Sequence, residues 1–133
     1  MTSLYITTLS SCVLAALLVM LSLKVVRLRH SEKVSVGDGG SQELQRAVRA
    51  HANLTEYAPL GLILIACAEY NGVPRLLLAI VALLFVAGRV MHPAGMQTGG
   101  SFSARVNGMR LTLVAMLALV AINILWLLWR LIT

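Results

Sequence analysis

Residues 1–23 read MTSLYITTLSSCVLAALLVMLSL, a run without a single charged side chain. Wound as a helix at 1.5 Å per residue it is about 34 Å long, enough for a bilayer core of about 30 Å. It is therefore expected to span a membrane. Lys24, Arg27 and Arg29 follow the run and act as a stop. A cleaved signal peptide would carry its basic residues ahead of a shorter apolar core, so this segment is expected to be kept. The rest of the chain agrees with a lipid solvent. Of 133 residues, 59% are hydrophobic and 12% are charged, and the mean hydropathy is +0.85. A water-soluble domain carries roughly a quarter of its residues charged, so a soluble fold is excluded. Disorder and collagen-like repeats are excluded too, because no low-complexity tract or glycine period is present. Cys12 and Cys67 lie far apart, each within an apolar run. They read as buried small hydrophobes rather than a disulfide or a metal pair, and no metal site is expected.

Three further apolar segments follow, at about 44–70, 73–91 and 105–130, giving one domain over 1–133 with four spanning helices and all-α architecture. The third is the shortest, since only 76–88 is free of charge, and its span requires Arg75 and Arg89 to snorkel to opposite interfaces. Gly37-Asp38-Gly39-Gly40 makes the first turn, with Ser41 as N-cap and Glu43 in the first helical turn. These glycines lack the preceding strand and the lysine of a phosphate loop. Asn71-Gly72 with Pro74 makes the second connection. The stretch from His92-Pro93 to Gly99-Gly100 makes the third. Trp126 and Trp129 suit an interfacial belt at the end of the last helix.

The net charge of +6 has a topological explanation. Nine of the eleven Lys and Arg residues surround the first and third connections, leaving Arg75 and Arg130 for the other side. By the positive-inside rule those two connections are cytoplasmic and both termini lie outside. Nucleic acid is not an expected partner, because only 5% of residues are aromatic and no stacking motif accompanies the charge.

The second segment carries chemistry. At 100° per residue Gln42, Gln45, Arg46, Arg49, Asn53, Glu56 and Tyr57 fall within about 120° of one another, while His51 points almost opposite. A charged residue at the centre of a spanning helix is disfavoured by about 2.5–3.5 kcal/mol, so Arg49 and Glu56 need partners. Snorkelling of the arginines accounts for neither Asn53 nor Tyr57. The stripe reads instead as one wall of a ligand site between helices, with His51 a packing residue.

The run Arg49-Ala50-His51-Ala52-Asn53-Leu54-Thr55-Glu56-Tyr57-Ala58-Pro59 resembles the R-A-x-x-N-x-x-E-Y-x-P motif on the second helix of the MAPEG family, the membrane-associated proteins of eicosanoid and glutathione metabolism that include the microsomal glutathione transferases. The four-helix plan extends the likeness over nearly the whole chain. The nearest resemblance is to a short bacterial inner-membrane subgroup. It implies a homotrimeric bundle in the bilayer, with glutathione bound between protomers on the cytoplasmic side and a lipophilic electrophile as second substrate. Arg27 or Arg29 sits where the family places a glutathione-binding arginine. Arg46, Arg49, Asn53, Glu56 and Tyr57 complete the implied binding set.

Glutathione's two carboxylates suit arginines, and its ammonium suits Glu56. An arginine near the sulfur would favour the thiolate, which is the nucleophile. Arg105 lies near the family's thiolate-stabilising arginine without aligning to it residue for residue. The family's R-x-x-Y-x-x-G-Y on the third helix is Arg89-Val90-Met91-His92-Pro93-Ala94-Gly95-Met96 here, so both tyrosines are absent. His92 can donate a hydrogen bond in place of the first, and Met96 reads as a gap filler. Two functions follow: a glutathione-dependent transferase or peroxidase using Arg105 and His92, or a non-catalytic binding or scaffold module that keeps a site for an anionic thiol or lipid headgroup or packs with another membrane protein. A transporter is less supported, since no inverted repeat is visible.

Overall fold

The computed structural model describes residues 3–132 as four helices: α1 (Tyr5–Glu32), α2 (Gln42–Tyr70), α3 (Arg75–Gly95) and α4 (Phe102–Ile132). The protein is an all-helical membrane bundle. Residues 1, 2 and 133, which include the start of the first apolar run, lie outside the described part. Helices α1, α3 and α4 are long and apolar enough to cross a membrane. Helix α2 matches them in length but carries its polar stripe in the first half. It touches each of the other three helices, and α3 does the same. The stripe thus has protein beside it rather than lipid on every side.

Several boundaries differ from the sequence reading. Helix α1 continues past the basic stop to Glu32, so Arg27 and Arg29 are helical, and Lys33 closes it in the left-handed conformation at φ 55°. Helix α3 runs through His92 and Pro93, which had been expected in the following connection. Its 21 residues reach about 31 Å, so the short segment spans without help from both arginines. Arg89 does not snorkel: it is 1% exposed and points into the bundle. The cysteines also depart from expectation. Cys12 and Cys67 are both free and exposed on the outer surface, where lipid accepts a small apolar side chain as readily as a core does.

The ends of the helices are tied by specific groups. Ser41 caps α2 as expected, its Oγ accepting from the Leu44 amide at 3.4 Å. The first amides of α1 are satisfied by Glu69, whose carboxylate accepts from Ile6 N and Thr7 N, each at 2.8 Å. Trp126 Nε1 donates to Asn71 O at 2.9 Å, fixing the end of α4 to the α2–α3 turn.

The core is apolar at mid-height, where Leu14, Leu54, Ile65, Leu78, Phe85 and Leu119 pack together. Gly61 makes room for Phe85, since a Cβ there would overlap the phenyl ring. Between lipid-immersed helices the driving force is close packing rather than escape from water, and small residues allow it. Helices α3 and α4 cross on Gly88, Gly95 and Gly108. A Cβ at Gly88 would lie 2.8 Å from Gly108 O, and one at Gly108 would lie 2.6 Å from His92 N. This crossing sets the height of the polar residues on α3 and α4 relative to those on α2.

Candidate functional site

The helical period places Arg46, Arg49 and Asn53 on one side of α2, and the α3–α4 crossing brings His92, Met96, Arg105 and Arg110 opposite them. Together they line an open cavity of about 630 Å³ at the end of the bundle that carries the α1–α2 and α3–α4 connections. That volume is ordinary for a small-molecule site. Four arginines contribute to the lining and no acidic side chain does. Met109, half-buried, and Leu113, exposed on the outer surface, give it an apolar edge. A smaller cavity of about 210 Å³ adjoins it, sharing Arg46, Met96 and Arg105 and reaching Gly99 and Gly100.

Behind the cavity lies a buried network centred on Arg89. Its Nε donates to Thr112 Oγ1 at 2.8 Å, and Nη1 donates to Asn53 Oδ1 at 2.8 Å and Asn53 O at 3.3 Å. Nη2 points at Met109 Sδ, 3.7 Å away, and the guanidinium carbon sits 5.1 Å from the centre of the Tyr57 ring. Every one of these partners is uncharged. The guanidinium is hydrogen-bonded but its charge is not neutralised, so the network adds a positive field to a cavity that already has four arginines. Asn53 therefore has two faces: its side-chain oxygen is committed to Arg89, and the residue still lines the cavity.

His92 is held at the α3–α4 crossing. Its Nδ1 is 3.1 Å from the carbonyl oxygen of Arg105, which ties the ring to the residue whose side chain shares the cavity. The Arg105 guanidinium in turn lies 5.7 Å from the centre of the Phe102 ring, one turn earlier on α4.

The structure thus brings together Arg46, Arg49, Asn53, His92 and Arg105 of the site residues expected from sequence, with Gln45 of the same stripe beside them. Tyr57 is one layer deeper, stacked on Arg89. Glu56 shares the stripe but is exposed beyond the cavity, about two turns from Arg49. Arg27 is exposed on α1, and Arg29 is used locally, donating to Ser35 O at 3.2 Å and Gly37 O at 3.0 Å. Neither arginine of α1 reaches the cavity of its own chain. His51 behaves as a packing residue, its Nε2 lying 3.1 Å from Ser22 Oγ on α1. Arg89, Thr112 and Arg110 were not singled out from sequence as site residues. An arginine inside an apolar segment was the available signal for Arg89, and a threonine one turn from a glycine was the signal for Thr112.

Comparison with known proteins supplies the family. The MAPEG family model matches residues 7–125. An inner membrane protein of Escherichia coli strain K12, YecN, is 40% identical over 121 residues, covering 90% of this chain and 92% of its own length. The protein of the same name from Escherichia coli O6:H1 gives the same identity and coverage. A match over this length, on a bundle whose second helix carries the polar stripe and whose third and fourth helices cross on glycines, means that the chain belongs to the MAPEG family, as an integral protein of the inner membrane.

Proposed function

We propose that this protein binds glutathione in the basic cavity between α2, α3 and α4 and presents its thiolate to lipophilic molecules arriving through the bilayer. The observation that carries the reading is the cavity's lining of four arginines with no acidic side chain. Such a site takes an anion with more than one negative group. Arg46 and Arg49 suit the two carboxylates of the tripeptide, and Asn53 suits a peptide group. Arg105, whose backbone carbonyl holds His92, is then the cation beside the sulfur, where it favours thiolate over thiol. The apolar edge at Met109 and Leu113 is where a lipophilic electrophile would approach.

Glu56 and the α1 arginines enter this reading through a neighbouring copy. In a homotrimer the exposed Glu56 of one protomer and Arg27 of the next would border the same ligand, the carboxylate accepting from the ammonium. Mass measured in detergent tests the assembly; a monomer that binds glutathione with full affinity contradicts a site shared between protomers. In the same reading the cavity opens to the cytoplasm, where the positive-inside rule puts the first and third connections.

A second reading, binding without turnover, is favoured by one observation: Met96 offers the cavity a thioether where a hydroxyl would be needed to hydrogen-bond a sulfur anion. Equilibrium binding of glutathione to the purified protein, followed together with ultraviolet thiolate absorbance, separates the two. Saturable binding with thiolate formation supports the enzyme, binding without thiolate supports the passive module, and no binding removes glutathione from the proposal.

A further inference from the structure

His92 is 8% exposed, and its hydrogen bond to the Arg105 carbonyl fixes more than its position. A carbonyl oxygen only accepts, so the contact from Nδ1 to Arg105 O requires the proton to be on Nδ1. In the neutral ring Nε2 then carries a lone pair and no hydrogen. No partner for Nε2 is found among the described residues, and no buried side-chain nitrogen or oxygen among them is left without one. Nε2 is therefore accessible, and the space that His92 borders is the basic cavity. The sequence suggested a hydrogen-bond donor at this position; the geometry gives an acceptor.

We propose that His92 Nε2 is the general base that takes the thiol proton of the bound ligand. This rests on the reading of the cavity as a glutathione site. The S–H bond breaks, an N–H bond forms at Nε2, and the electron pair stays on sulfur as a thiolate beside Arg105. The imidazolium proton then passes to water in the open mouth, which returns the ring to its starting state without a further reactant. The charged groups that act on the ring are Arg89 from α3 and Arg105 from α4, and Arg46 and Arg49 from α2 and Arg110 from α4 line the same cavity. All are cations, so each attracts the thiolate and repels the imidazolium, which drives the proton on from the ring to water. Within one chain the cavity lining has no carboxylate to serve as base, and the neighbouring Glu56 is assigned to the ligand's ammonium. The division of labour is then one of rate and equilibrium: the arginines favour the thiolate, and His92 provides the path by which the proton leaves.

The test uses the purified full chain with His92→Asn, whose shorter amide can still donate to Arg105 O while the basic nitrogen is removed. His92→Gln serves as a second variant, placing a non-basic amide closer to the Nε2 position. Thiolate absorbance is followed in stopped flow after mixing with glutathione. S-methylglutathione, which has no thiol proton, reports binding separately. The expected result is a rate of thiolate appearance slower by about 100-fold or more, the usual contribution of a positioned base, with S-methylglutathione affinity unchanged. Thiolate appearing at the unaltered rate in either folded variant, with binding intact, overturns the assignment and leaves the glutathione reading standing. Loss of S-methylglutathione binding in both variants makes His92 a packing residue and also overturns it. If the unaltered protein binds neither compound, the cavity reading and this one fall together.

Discussion

Replacing Thr112 by valine isolates what holds a positive charge inside the bundle. Thr112 is fully buried, its Oγ1 accepting from Arg89 Nε at 2.8 Å and donating to Gly108 O at 2.9 Å. Valine keeps the shape and removes the oxygen, so Arg89 Nε–H loses its partner in a place water does not reach. A hydrogen bond to a charged group contributes about 1.5–3 kcal/mol in proteins generally. Between membrane helices the average is nearer ~0.6 kcal/mol, with a maximum of about 1.7. Burial of the guanidinium puts this case at the upper end of the membrane range, so Thr112→Val should destabilise by about 1.5 kcal/mol. Thr112→Ser keeps the oxygen and removes a methyl, leaving a small void in the bundle, at about 1 kcal/mol or less. Unfolding in mixed micelles titrated with a denaturing detergent, followed by circular dichroism, measures both. A double-mutant cycle with Arg89→Met assigns the cause, because the penalty of Thr112→Val should largely disappear once no guanidinium needs the oxygen. If serine proves more harmful than valine, or if the valine penalty persists beside Met at position 89, Thr112 acts through packing and the account of Arg89 is wrong.

Three further outcomes are expected. Arg49→Ala should weaken glutathione binding by about 2–5 kcal/mol if the contact is desolvated, whereas His51→Ala, which touches Ser22 on α1, should bind nearly as before; calorimetry showing equal losses for both removes the stripe from the site. Gly61→Ala drives a methyl into the Phe85 ring and should destabilise by about 1–3 kcal/mol, with partial recovery when Phe85→Leu is added; detergent unfolding that finds the alanine variant as stable as the parent contradicts the close approach of α2 and α3. A cysteine introduced at Asp38 should resist an impermeant thiol reagent in intact cells and react after permeabilisation, and labelling without permeabilisation would reverse the proposed orientation.

Local chemistry made much of the bundle legible. A charge-free run long enough for a bilayer specifies α1 whatever surrounds it. Ser41 caps α2 because a short hydroxyl beside free amides needs no distant partner. The side of α2 that carries Arg46, Arg49 and Asn53, and the opposite side that carries His51, follow from 3.6 residues per turn. What the sequence left open depended on which helix lies against which. An arginine near the end of an apolar segment can reach the interface or turn inward. Arg89 turns inward because α2 and α4 bring Asn53 and Thr112 to it, and neither is near it in the chain. Whether a residue in an apolar run meets protein or lipid was equally open, since both solvents favour it, and Cys12 and Cys67 face outward. Arg105, Arg110 and His92 join the α2 arginines only because glycines at 88, 95 and 108 let α3 and α4 approach closely enough to fix their heights. Periodicity within one helix determines a face; only the packing between helices decides what that face meets.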